Sequence, residues 1–256
     1  MSRLRQLLGG LRHRLARQYW TATSARLATL PPADLKIVQR RARALSRLTK
    51  TVADRSGSQL LRGHDDPTHV PLSGRATWAF RPQVWAQSIA PSCRAPVQSQ
   101  SRLGDALTFY HDDPAAGILA RQFAHKDDRH ASHCGLILEV FGFAGRFVSA
   151  AIDLPDAAWR GIGKSELIRL RSHVVADKST TITARINVRH GPNTDQILRG
   201  IDLDRHDNVV EFDMFYSAIE PDKVSGMWLD IIWENPAMNR IVINDLVLSR
   251  HPRANV

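Results

Sequence analysis

The stretch Thr181 to Val188, TITARINV, decides the fold. Ile182, Ala184, Ile186 and Val188 alternate with Thr181, Thr183, Arg185 and Asn187, the period of two that turns one strand face to a core and the other to water. Working outward, Val210, Phe212, Met214 and Tyr216 alternate with Val209, Glu211, Asp213 and Phe215, and Leu136, Leu138 and Val140 begin another such run. Arg146 to Asp153 follows that run after a short turn holding Gly145, which predicts a hairpin. Leu103 to His111, Ile118 to Ala124, Leu167 to Val175, Met227 to Glu234 and Ile241 to Ser249 bring the total to eight or nine short strands. Only Pro155 to Arg160 reads as helical among them, for one turn, so a parallel α/β sheet is disfavoured. The expected fold is mainly β, an antiparallel jelly-roll-like β-sandwich over residues 75–254.

What precedes it is different in kind. The 256 residues carry a formal charge of +10, yet residues 1–62 hold fourteen Lys and Arg against two Asp, and the remainder is close to neutral. A uniformly basic nucleic-acid binder is excluded, and nucleic acid is not the expected partner, because Tyr19 and Trp20 are the only aromatic residues of the basic region. Leu4, Leu7, Leu8, Leu11 and Leu15 form a helical stripe flanked by Arg3, Arg5, Arg12 and Arg14. In that geometry leucines enter an acyl boundary while guanidinium groups reach lipid phosphates. Gly9 and Gly10 weaken the free helix by about 1 kcal/mol each. A second helix is expected to open after Pro31 and Pro32, with Asp34 in its first turn, and to run to about Arg55. Residues 1–55 are thus a basic amphipathic helical arm, for an anionic membrane surface or a protein partner, and an antiparallel helical hairpin or one helix packed on the following domain is the plainer reading. Ser56 to Gly74, with Gly57, Gly63, Pro67 and Pro71, reads as linker. No window approaches eighteen uncharged apolar residues, and the first leucines are interrupted by arginines. A cytoplasmic location is expected, peripheral at the inner face of a membrane. The acid-free, Arg-rich start also fits an organelle transit peptide. Cys93 and Cys134 are expected as free thiols.

The segments LPPADLKIVQRRARALSR (Leu30 to Arg47), WAFRPQVW (Trp78 to Trp85), LTFYHDD (Leu107 to Asp113), NVRHGPNTDQ (Asn187 to Gln196) and MWLDIIWENPAMNRIVINDLVLSRHPRA (Met227 to Ala254) resemble an uncharacterised bacterial domain-of-unknown-function family. More loosely, the closing strands are similar to those of galactose-binding-like and carbohydrate-binding sandwiches. The resemblance implies a fold; it carries no catalytic residue.

The candidate sites are few. His125, Asp127, Asp128, His130, His133 and Cys134 offer metal ligands, but their spacing matches no zinc motif. No metal or other cofactor is expected. GIGKS, Gly161 to Ser165, ends like a phosphate loop, but Ala158 stands where its first glycine belongs and a strand follows instead of a helix. Glu211 and Asp213, about 6.6 Å apart along one strand face, have the spacing of a glycosidase pair; a pair simply facing solvent explains them too. No nucleophile elbow occurs. Two polar loops remain, RHGPNTDQ and ENPAMNR, and with the strand between them they supply Arg189, His190, Asn193, Asp195, Trp228, Asp230, Glu234, Asn239 and Arg240. Amide, guanidinium and carboxylate groups beside an aromatic face suit a carbohydrate or another small polar ligand. Turn formation explains Gly191, Pro192, Asn193, Asn235 and Pro236 equally well. The leading expectation is a non-catalytic binding module, with an interaction protein and a jelly-roll polysaccharide enzyme as alternatives.

Overall fold

The computed structural model describes residues 3–60, 68–105, 107–125, 131–205 and 207–253. It divides into two compact units, residues 1–57 and 58–256. In the first, α1 (Arg3–Ala25) and α2 (Pro32–Leu60) are joined by a single turn of 3-10 helix at Leu27–Thr29. Pro32 opens α2, where its missing N–H costs nothing, and Leu35 N–H donates to the Pro31 carbonyl at 3.0 Å. His13, Arg17 and Trp20 of α1 face Leu45 and Thr49 of α2 across a shared groove. The second helix outruns its expected end at Arg55 and takes in Ser56 to Leu60 of the expected linker.

The second unit is built from β1 (Trp78–Phe80), α3 (Gln83–Ala86), β2 (Cys93–Arg94), β3 (Arg102–Leu103), β4 (Leu107–His111), β5 (Ile118–Ala124), β6 (Cys134–Val140), β7 (Phe147–Asp153), α4 (Asp156–Trp159), β8 (Glu166–Ala176), β9 (Thr181–His190), β10 (Asn193–Ile201), β11 (Asn208–Asp213), β12 (Val224–Glu234) and β13 (Asn239–Pro252). One sheet runs β11-β8-β13-β6-β5-β2, with β1 added alongside β13, and the other runs β10-β9-β12-β7-β4-β3. All the pairings are antiparallel. Ile182, Ala184, Ile186 and Val188 of β9 and Leu229, Ile231 and Trp233 of β12 meet Ile168, Leu170, Ile241 and Leu248 from the facing sheet in one buried core. The sandwich expected from the alternating pattern is the one observed.

Several local expectations are corrected. β6 and β7 are not a hairpin, since they lie in different sheets. The connection between them is held elsewhere: Ala144 N–H donates to Asp113 Oδ2 at 2.7 Å, Arg146 N–H to Asp112 Oδ1 at 2.9 Å, and Gly117 N–H to the Gly142 carbonyl at 2.7 Å. The Ala144 bond most, and next that from Ala115 N–H to Asp113 Oδ1 at 2.9 Å, pull the Asp113 carboxyl below its ordinary pKa. Leu103 to His111 is two strands, broken at Gly104, whose φ of +65° suits glycine. The run Val210 to Tyr216 stops at Asp213, because the Asp213 carboxylate accepts from Phe215 N–H at 3.0 Å and turns Met214–Tyr216 into 3-10 helix. Met214 still reaches the core, while Tyr216 is exposed. The loop expected at Arg189 to Gln196 is mostly strand: β9 passes to β10 through Gly191 and Pro192 alone, with Gly191 at φ +53°. α3 had no counterpart in the sequence reading.

Candidate binding face of the six-stranded sheet

Antiparallel partners point to the same side of a sheet, so register assigns the outer face row by row. One row carries Leu198, Arg185, Asp230, Ala151 and Thr108 from β10, β9, β12, β7 and β4. Beside it, toward the start of β12, lie Gln196, Asn187, Trp228 and Asp153. Toward the end of β12 come Thr183, Ile232, Ser149 and Tyr110, then Thr181, Glu234 and Phe147. Phe147, Ser149, Arg185, Ile232 and Glu234 line a groove of about 570 Å³ on this face.

At its centre is a fixed polar cluster. Arg185 donates to Asp230 Oδ2 through Nε at 2.9 Å and Nη2 at 2.7 Å, and Asn187 Nδ2 donates to the same oxygen at 2.9 Å. Asn187 Nδ2 also faces the Arg185 and Trp228 carbonyls, both at 3.4 Å, which fixes the amide's orientation. Asp230 and Asn187 point away from the core yet are only 4% and 0% exposed. A carboxylate this buried is stable only when paired and hydrogen-bonded. All three donors converge on Oδ2, so Asp230 Oδ1 accepts from no donor among the described residues. Arg185 Nη1 is likewise uncommitted. Asn187 Oδ1 is buried without a partner. Trp228 stands in the next row with the Arg189 guanidinium 5.7 Å from its ring centroid, an arrangement that holds the indole in place.

Of the residues singled out from the sequence, Arg189, Trp228, Asp230 and Glu234 share this face. The others do not join them. His190 turns inward and is buried near Asp195, with Nε2 3.4 Å from Asp195 Oδ1. Asn193 and Asp195 lie on the inward side of the edge strand β10, and Asp195 accepts from Ala218 N–H. Asn239 bridges the Lys178 backbone through hydrogen bonds of 2.9 and 3.0 Å, and Arg240 pairs with Glu139 at 3.7 Å on the other sheet. The two polar loops cannot converge: β12 starts opposite His190 and ends opposite Thr181, about 30 Å apart at strand rise. Sequence reasoning missed Arg185, Asn187, Tyr110, Phe147 and Ser149. The first two were visible as the polar positions of the alternation in TITARINV.

The competing sites are accounted for by local partners. Glu211 takes two hydrogen bonds from Arg169, at 2.6 and 3.0 Å, while Asp213 pairs with Arg253 at 3.0 Å and caps a turn. Each carboxylate thus answers to a different arginine. Asp127, Asp128 and His130 lie outside the described residues; His125 faces the Asn244 carbonyl at 3.0 Å. Among the described residues no three His, Cys, Asp or Glu side chains gather as a metal set. Cys93 is exposed and Cys134 buried, and neither is in a disulfide among the described residues. Gly161 to Ser165 is followed by β8, as expected, and not by a helix.

Similar folds occur in solved structures of diverse description. The tailspike protein 4 enzymatically active domain of bacteriophage CBA120 matches at TM-score 0.40 and 10% identity over 56% of this chain, which spans only 19% of that one. A family 11 carbohydrate-binding module from Clostridium thermocellum, in complex with a β-1,3-1,4-mixed-linked tetrasaccharide, matches at TM-score 0.39 and 13% identity, covering 59% of this chain and 92% of the module. A cyclase from Fischerella sp. TAU, in complex with 4-(1H-indol-3-yl)butan-2-one, matches at 0.42 and 7% identity, covering 73% and 98%. No curated protein matches the chain by sequence. Its kinship rests instead on a family model that matches residues 1–256 from end to end, so the chain belongs to the family of unknown function DUF6478.

Proposed function

We propose that the outer face of the six-stranded sheet is a non-catalytic binding site for a carbohydrate. The observation that carries this reading is the pairing of a free acceptor with a free donor, Asp230 Oδ1 and Arg185 Nη1, on a cluster held by three hydrogen bonds and placed beside the indole of Trp228. A hydroxyl of the ligand donates to the carboxylate oxygen while a neighbouring one accepts from the guanidinium, and the C–H face of the ring lies on the indole. Because both partners are already oriented, little side-chain entropy is lost on binding. Tyr110, 40% exposed, and Phe147, at the groove, extend the same face along the sheet. A glycan array followed by calorimetry on the full chain tests this. A saccharide should bind, and Trp228→Ala should weaken it by about tenfold, the size of one lost aromatic contact. A flat array, or affinity untouched by Trp228→Ala, rejects the reading.

The helical unit is assigned a separate role, attachment to an anionic membrane surface. Leu15 and Tyr19 of α1 and Leu45, Leu48 and Val52 of α2 stay exposed, the last two at 66% each. They sit in a segment carrying fourteen Lys and Arg against two Asp within residues 1–62. Exposed apolar side chains amid that charge suit an interface of acyl chains and anionic headgroups. Leu4, Leu7, Leu8, Leu11, Arg3 and Arg5 belong to the same helix, but their side chains lie outside the described residues.

A further inference from the structure

On the opposite side of the sandwich, the outer face of the seven-stranded sheet is not flat. Register places Glu211, Arg169, Ser249 and Ala79 in one row, from β11, β8, β13 and β1, and Val209, Arg171 and Val247 in the next. Small residues in the middle, Ala79, Ser249 and Val247, leave a hollow of about 460 Å³ rimmed by Arg81, Arg169 and Arg171, with His251 at one end. Segment 70–76 supplies a wall through Val70, Pro71 and Ala76.

The three arginines are not equivalent. Arg81 is forked onto Asp245 at 2.8 and 3.0 Å, and Arg169 puts Nε and Nη2 on Glu211. Arg171 has no carboxylate partner among the described residues. The rim therefore holds three guanidinium groups against two carboxylates. His251 adds no charge at neutral pH, since burial chiefly, and Arg169 beside it, push its pKa below the ordinary 6.5. Among the described residues one positive charge, that of Arg171, is left over at the rim of the hollow. A polar floor accompanies it: Ser249 Oγ lies 2.9 Å from His251 Nε2. With the ring proton on Nε2, the imidazole donates to Ser249 Oγ and the serine hydroxyl donates into the hollow.

We propose that this hollow binds a small organic carboxylate, with Arg171 as its counter-ion and the Ser249 hydroxyl as a second donor. A singly charged group balances the surplus charge, whereas a dianion would leave an unpaired negative charge. The planar fork of arginine matches a carboxylate in two parallel hydrogen bonds. The volume admits a compact molecule. This site is independent of the saccharide face, and either can fail without the other.

Amide and side-chain NMR of the full-length protein, titrated with acetate at constant ionic strength and pH 7, provides the test. Saturable shifts at Ser249, His251 and Arg171 are expected with acetate and none with acetamide, which has the same shape without the charge. Arg171→Gln should weaken acetate by at least tenfold. Arg171 is exposed, so the variant should keep its fold, visible as unchanged signals in the six-stranded sheet. Ser249→Ala should weaken binding by a smaller factor, and Arg240→Gln, which lies far along β13, by none. Failure to saturate with acetate, an equal response to acetamide, or full affinity in Arg171→Gln would overturn the proposal.

Discussion

At the scale of single residues, Asp230 decides more than its surroundings suggest. It lies on the solvent side of β12 by register, yet it is buried and satisfied through one oxygen. Arg185→Ala removes two charge-assisted hydrogen bonds and leaves that carboxylate to Asn187 alone. The expected cost is about 2 kcal/mol, in the range of hydrogen bonds to a charged group and below that of a fully buried pair, because the Arg185 side chain is itself 31% exposed. Urea unfolding should show it as a lower midpoint at unchanged m-value. Trp228, Asp230 and Glu234 could be placed on one face from sequence because a strand's period is two. Arg185 and Asn187 were read only as the polar half of an alternation, since their partner sits on a strand 45 and 43 residues away. Asn239 misled for the opposite reason. An asparagine near a turn looks like a ligand-binding amide until Lys178, 61 residues upstream, is seen to occupy it.

At the scale of elements, β6 shows where alternation stops being informative. Its residues Cys134 to Leu138 are all buried, on both faces, so within that run no polar position marks the outer side, and Glu139 is the first to do so. α3 packs against β6 and β13 from the core side: Gln122, in line with the buried Ile118 and Ala120, donates to the Val84 and Gln87 carbonyls at 2.6 and 2.7 Å, Val84 and Trp85 join the core, and Trp85 Nε1 donates to the Ile243 carbonyl at 2.9 Å. A four-residue helix has no period to detect, which is why Gln83 to Ala86 escaped a reading based on periodicity. The β6–β7 connection failed for a related reason. A short glycine-containing loop suits a hairpin and a crossing between sheets alike, and what selects the crossing is Asp112 and Asp113, about thirty residues upstream. Close packing also fixes Gly135. A Cβ there would run into the Phe123 ring and lie 3.1 Å from the Ile243 carbonyl oxygen. Gly135→Ala should destabilise by about 1–3 kcal/mol, the usual range for overpacking, and lower the melting temperature by several degrees. Gly163→Ala, which meets nothing within 4 Å, should leave it nearly unchanged.

At the scale of the whole molecule, the division of charge coincides with a division of the core. The buried hydrophobic residues run from Val84 to Leu248, and none of the described residues of α1 or α2 is among them. Among the described residues the sandwich's core takes no side chain from the helices, and a chain lacking residues 1–57 should unfold cooperatively with nearly the melting temperature of the full chain. The same truncation separates the two proposed roles. Full-length protein should float with vesicles containing anionic lipid, and raising salt should weaken the association, because attraction of Lys and Arg to a charged surface decays within a Debye length of about 8 Å near physiological ionic strength. Neutral vesicles should retain less of it, and the truncated chain should stay behind with both kinds while keeping its saccharide affinity. Equal, weak binding of the full chain to anionic and neutral vesicles would remove the membrane role. A truncated chain that still floats would move that role to the sandwich, where the charge is close to balanced and electrostatic attraction has little to act on.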